Sequence, residues 1–237
     1  MLTSYLTRLL SLRHYDMRND PHAVNDIKEA VAYVSLDFDH DLDKSWKGTR
    51  GRPNPDFKSG GGIAKDYVLP DFHTRTKGIV RDYDPARHSK AKRLAGDEIE
   101  EDVLTLRNER FTVPELIFNP SDIGLQQAGL GDAVRESLEA LPIGLWPGLL
   151  ANIVVVGGNA LLEGFIQRLQ REIVQRFPDD CVVRVARPEN PITSSLVGGM
   201  YLANHADIDK LVVTKQEYEE RGATWVAHKF ATGKPGT

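Results

Sequence analysis

A chain of 237 residues, 41% hydrophobic and 27% charged, has room for one large domain or two small ones, and it lacks the bias of a disordered or fibrous sequence. Its net charge of −4 gives no overall attraction to nucleic acid or to an anionic membrane. The single cysteine, Cys181, excludes an intramolecular disulfide, and no apolar run nears the roughly 20 residues that span a bilayer, so a soluble, intracellular chain with no membrane partner is expected.

The first residues, "MLTSYLTRLLSLRHYD", place Leu2, Tyr5, Leu6, Leu9 and Leu10 on one helical face. Arginines interrupt the run, and it lacks the charged-apolar-small order of a signal peptide. A helix that opens this abruptly suggests that sequence is missing upstream. A second helix is expected over "PHAVNDIKEAVAYVSLDF", with Pro21 in its first turn and Val24, Ile27, Val31 and Val34 as its buried stripe. From residue 39 to 101 periodicity fails, and "KGTRGRPNPDFKSGGGIAKD" reads as a mobile loop. "DYVLPDF" is one short ordered segment within it. Residues 75–93 then carry seven Lys or Arg residues. They suit either a nucleic-acid or acidic-partner contact or, more simply, a solvated loop offset by "GDEIEED" downstream.

Alternating apolar positions around Asn108 in "VLTLRNERFTV" predict a hairpin. "PELIFNPSDIG" is turn-rich, and "GDAVRESLEALP" is a short helix. A strand over 152–156 and a helix over 164–176 follow, then a strand over 181–186 that would bury the Cys181 thiol. "PITSSLVGGMYLANH" is an apolar helix. Thr214 and Glu217 form a capping box, Gly222 is a helix stop, and residues 231–237 look like a disordered tail. The pattern is mixed α/β without repeats.

In "NIVVVGGNALLEGF" a β-branched run meets Gly157 and Gly158 before a helical pattern begins. This is neither a Walker loop, which ends in Gly-Lys-Ser/Thr, nor a Gly-x-Gly-x-x-Gly fingerprint. Side-chain-free residues after a strand let a ligand approach the backbone, and N–H groups at a helix start favour an anion. A plain structural turn fits the same residues, and by themselves they favour it. The seven histidines are scattered without metal-ligand spacing, no serine sits in a Gly-x-Ser-x-Gly elbow, and the acidic run "DFDHDLD" reads as solvated charge at a loop edge. No catalytic constellation is visible, and no metal ligands are assigned.

"LTSYLTRLL", "DIKEAVAYVSLDF", "LRNERFTVPELIFNPSDIG", "NIVVVGGNALLEGF" and "VVTKQEYEERG" together resemble the second half of the actin family, in its order and roughly its spacing. "NERF-x-x-PE" and "TKQEY" are the most specific strings, and the resemblance covers residues 2 to about 230. "DYVLPDF", "VPELIFNPSDIG" and "PENPIT" look like a nuclear, actin-related branch within it.

The resemblance implies the actin-like, ribonuclease-H-like ATPase fold, second lobe only: a mixed sheet flanked by helices with an inserted helical subdomain, over residues 1–230 with a loop-rich insertion at 39–101. Carried over by residue, Lys28 and Glu29 match a lysine and glutamate near the adenosine, and Gly157 and Gly158 match the family's diglycine. Asn25 stands where the family has arginine, Asn159 replaces a threonine, Leu162 replaces a tyrosine near the adenine, and the basic residue expected after "PE" is lost in "ENPITSS". Each change removes a donor, charge or ring, at roughly 1–3 kcal/mol per unpaired group. ATP or ADP is then held weakly at most, without hydrolysis. The implied role is a non-catalytic scaffold in a nuclear chromatin-remodelling complex that exchanges a histone variant, with a cytoplasmic pool as well. Its partners would be the complex's subunits, a zinc-finger subunit among them, and nucleosomes indirectly. An ATP-hydrolysing member of the superfamily and a cytoskeletal filament component are the alternatives.

Overall fold

A computed structural model of the chain describes residues 1–87 and 101–232. They fall into two compact units, 1–187 and 188–237, where the resemblance alone suggests one continuous lobe.

In the first unit, α1 (Leu2–Arg13) and α2 (Pro21–Val31) lay their apolar stripes together. Leu2, Leu6 and Leu10 meet Val24, Ile27 and Val31, the heptad-like spacing that a 3.6-residue turn brings to one face. α2 stops at Val31, seven residues before the expected end, because Ala32 turns extended. Val34 is buried as expected, but in a different cluster, with Phe118, Leu150, Phe165 and Ile173.

The segment read as a mobile loop is ordered through most of its described length. The acidic run forms α3 (Phe38–Ser45): Asp37 accepts from the His40 amide at 3.1 Å, and Asp39 and Asp41 sit in the first turn. There their charge complements the helix dipole, which is why the run is not mere loop edge. The strands β1 (Gly48–Thr49) and β2 (Arg52–Pro53) form a tight hairpin around Gly51, which has a φ of 96°. α4 (Pro55–Ser59) starts on Asn54 and ends on left-handed Gly60. The Asn54 amide also donates to the Asp43 and Trp46 carbonyls at 2.7 and 2.9 Å, tying hairpin to helix.

"DYVLPDF" supplies β3 (Lys65–Val68), the centre of an antiparallel sheet between β4 (Ile79–Asp82) and β5 (Val103–Leu106). Tyr67, Leu104 and Leu106 join the core of α1 and α2, so this strand belongs to the body of the unit. The expected hairpin at Asn108 is absent: β5 runs directly into α5 (Glu109–Glu115). The alternation ends at Leu106, and the next apolar residues, Phe111 and Val113, are buried on a helix. The basic 75–93 stretch is described only to Arg87, and most of "GDEIEED" lies outside the described residues.

Beyond a 3-10 turn at Pro120–Ile123 come α6 (Leu130–Glu139), α7 (Trp146–Leu150), β6 (Ile153–Val154), α8 (Phe165–Arg176) and β7 (Val185–Ala186), with β6 and β7 parallel. Both strands are shorter than expected. Cys181 lies before β7, half-buried, where loss of solvent and the Asp180 charge push its thiol up. The strands of the described residues thus form three small sheets.

The second unit holds α9 (Ser194–Ala203), α10 (Ile208–Leu211) and α11 (Lys215–Thr232). Thr214 and Glu217 make the capping box, with the Glu217 amide donating to Thr214 Oγ1 at 3.2 Å and the Thr214 amide to Glu217 Oε2 at 2.8 Å. Gly222, at φ 75° and ψ 173°, breaks the helix, but helix resumes beyond it. Ala231 and Thr232 are helical, two residues into the expected tail, and 233–237 lie outside the described residues. No described helix is long and apolar enough to cross a membrane.

Candidate functional site

The diglycine turn leaves the β6–β7 pair after the Val155 amide donates to the Ala186 carbonyl at 2.9 Å. Gly157 has φ 100° and ψ 163°, a region open almost only to glycine. A short 3-10 turn, Gly158–Leu161, follows and buries Ala160. A Cβ built on Gly157 or Gly158 would meet nothing within 4 Å. The two glycines are therefore not packed against protein, and Gly158, whose φ is not positive, has no conformational need to be glycine. Asn159 is exposed and Leu162 half-buried. Among the described residues, the Gly157, Gly158 and Asn159 amides find no acceptor.

Gly164 closes the motif under a tighter constraint. Its φ is 80°, and a Cβ there would stand 2.2 Å from the Val34 carbonyl oxygen. This close approach lets the Val34 amide donate to the Glu163 carbonyl at 2.8 Å and forms a parallel bridge between Tyr33 and Glu163. The exit of α2 is thereby joined to the end of the diglycine turn.

Lys28 and Glu29 stand on α2. The Lys28 ammonium donates to Asn25 Oδ1 at 2.8 Å and to Thr3 Oγ1 at 3.4 Å, and Asn25 Nδ2 donates to Glu29 Oε1 at 2.7 Å. Asn25 thus links the lysine to the glutamate. The structure brings these two predicted site residues together, and among the described residues it joins neither by hydrogen bond to Gly157, Gly158 or Asn159. Lys28 and Glu29 thus meet through Asn25, and Lys28 also reaches Thr3 of α1.

Sequence reasoning missed two arginines that hold this region. Arg110 of α5 donates from Nε to the Val31 carbonyl at 2.7 Å and from Nη1 to the Ile63 carbonyl, and its guanidinium stacks on Tyr33 at 4.9 Å. Tyr33 in turn donates to Asp41 Oδ2 at 3.1 Å, and burial together with the Asp41 charge pushes its hydroxyl well up. Arg168 of α8 donates to the Ser35 carbonyl at 2.9 Å, Glu115 at 2.8 Å and Glu172 at 2.8 Å. Both glutamates are buried, and burial pushes the Glu115 carboxyl up against the pull of Arg168. Glu115 and Arg168 are 53 positions apart, with no local signal to link them. The i,i+4 spacing of Arg168, Glu172 and Arg176 does hint at a charged ladder.

A third arginine fixes the 39–101 segment. Arg107, just after β5, stacks between the rings of Phe57 and Tyr83 at 4.1 and 4.6 Å and donates to the Phe57 carbonyl at 2.8 Å. Arg107 thereby ties the described residues around Phe57 and Tyr83 to the end of β5. Among the described residues no group of three His, Cys, Asp or Glu side chains could hold a metal ion.

Comparison with known proteins agrees with the motifs. The family model described as Actin matches residues 9–231. "Actin-related protein 6" of Neurospora crassa is 66% identical over 233 residues, taking in 98% of this chain and 52% of that protein. "Actin-like protein arp6" of Emericella nidulans is 47% identical over 97% of this chain and 49% of its own. "Actin-related protein 6" of Drosophila melanogaster is 39% identical over 93% and 51%. The chain spans about half the length of the curated relatives it matches.

Proposed function

The chain belongs to the actin family, and from that premise we propose that it works as a non-catalytic scaffold subunit. Its setting would be a nuclear chromatin-remodelling complex that exchanges a histone variant, with a pool in the cytoplasm. The ordered surface of residues 39–87 supports the reading. Two helices, two hairpins and an arginine sandwiched between two rings hold those described residues on the unit, so a partner would meet a preformed face and little ordering entropy would oppose docking. A zinc-finger subunit is the kind of partner proposed for it, with nucleosomes contacted indirectly.

Excising residues 47–93 whole would remove β3 and with it the core strand, so the test takes shorter cuts. Residues 48–53, 70–77 and 88–100 are each replaced by a short Gly-Ser bridge in the assembled complex, and subunit composition is measured. Loss of a subunit from at least one variant is expected. Unchanged composition in all three would sink the insertion as a contact.

A second reading, ATP or ADP binding, has its own support in the open space around Gly157 and Gly158, whose amides find no acceptor among the described residues. Against it stand the bonds that Lys28 and Glu29 already make to Asn25. Titration calorimetry with Mg-ATP on the protein is expected to show no submicromolar site; tight binding with magnesium-dependent turnover would replace the scaffold reading.

A further inference from the structure

The turn between β3 and β4 spends unusual backbone geometry on a side chain that touches little. Among the described residues, Phe72 is the one non-glycine residue at positive φ, 57°, and its side chain is 75% exposed. A bulky residue there is an outlier, and burial does not compensate for it.

The turn is built to keep that geometry. Asp71 Oδ1 accepts from the amides of His73, Thr74 and Arg75 at 2.9, 2.8 and 2.8 Å, and Oδ2 accepts from the Thr74 hydroxyl. The Phe72 amide donates to the Arg75 carbonyl at 2.9 Å. Arg75 and Arg81 both grip Glu101, at 2.9 and 2.6 Å, which clamps the turn to the base of the sheet. Behind it, Gly78 lies against the Tyr67 ring so closely that a Cβ would overlap it at 2.2 Å.

The Asp71 carboxylate, though exposed, is occupied by four donors within the turn. The side chains of His73 and Lys77 are exposed, with no hydrogen bond or ion pair among the described residues. An aromatic tip on a rigid turn with basic groups beside it complements an apolar pocket with an acidic rim.

We propose that Phe72 is a preformed anchor that inserts into an apolar, acid-rimmed pocket on a protein partner, with Lys77 and His73 facing the rim. This rests on the reading of the 39–101 segment as a docking surface and names its central contact. Ile79 and Val80 of β4 are exposed as well, on opposite faces of this edge strand.

The test places a benzophenone-bearing amino acid at position 72 in the assembled complex, irradiates it and maps the marked residue. The expected mark falls on another polypeptide, among apolar side chains flanked by Asp or Glu. Phe72→Asn, which suits a left-handed backbone and keeps the turn folded, should lower recovery of that polypeptide at least about tenfold, and Phe72→Tyr by less than about threefold. Lys77→Glu should weaken it several-fold. Marks confined to the chain itself, marks on a polar surface, or full recovery with Phe72→Asn would each overturn the anchor. If cuts at 48–53, 70–77 or 88–100 lose a subunit while Phe72→Asn keeps it, the anchor falls and the scaffold reading stands. If every cut keeps every subunit, the anchor falls together with the docking role of the 39–101 segment.

Discussion

Phe72→Asn separates two quantities that change together at most interface positions. The left-handed backbone costs a bulky residue about 1–2 kcal/mol, and asparagine tolerates it better. With a side chain mostly in water, Phe72 contributes little packing in return. The variant should therefore raise stability by about 0.5–1 kcal/mol, read as a higher urea midpoint, while partner recovery drops. A lower midpoint would mean that the ring packs in the free protein. Three glycines make a second comparison. Gly157→Ala should cost about 1–3 kcal/mol through its backbone region alone. Gly158→Ala, in open space at ordinary φ, should stay within about 0.5 kcal/mol. Gly164→Ala must both strain the backbone and push the Val34 carbonyl away, so it should be the most destabilising of the three. Chemical denaturation of the three variants checks the order.

α8 carries its stabilising chemistry on an inward face that mixes charge with apolar residues. Phe165, Leu169 and Ile173 fill the core, while Arg168 compensates buried Glu115 and Glu172. Replacing Arg168 by Met leaves two buried carboxylates short of a partner and should cost about 3–5 kcal/mol in urea unfolding. The β3–β4 hairpin is tuned by Glu101, whose carboxyl Arg81 and then Arg75 hold below the usual range. Its stabilising contribution is in place above the ordinary glutamate value near about 4.3 and is lost as pH falls through the depressed one. The protection factors of the β4 amides, taken relative to intrinsic exchange at each pH, should therefore fall below about pH 4, and factors that persist under acid would contradict this. The amphipathic helices were legible because their apolar stripes recur at helical spacing. α4 was missed: "NPDFKSG" carries an Asn-Pro start and a glycine end, but the surrounding glycine and charge masked them. β3 was visible as an ordered segment, yet nothing local says that it sits between β4 and β5. The site divides likewise: the diglycine turn was readable as strand, glycine and helix, whereas the Asn25 link and the arginine clamps join residues far apart in sequence.

At the scale of the molecule, the two units differ in kind. Residues 1–187 contain every large buried hydrophobic side chain described, whereas α9 presents Leu196, Met200, Tyr201 and Leu202 to solvent at more than half exposure. Stability follows buried contacts, so the second unit should open first. Thermolysin under native conditions is expected to cut within 192–202 before any site in α1, α2 or α8; an intact second unit after the first is digested would refute this. The first unit has a consequence of its own, in the join between Tyr33–Ser35 and Glu163–Arg168. On the ribosome the first partner is made about 130 residues ahead of the second, which at roughly 5–20 residues per second is on the order of ten seconds. Over that interval the core around Val34 lacks Phe165, Leu169 and Ile173, and its amide has no Glu163 carbonyl to meet. The nascent chain must keep a sticky, half-finished edge in water until α8 emerges, which makes this segment the natural foothold for a chaperone during synthesis.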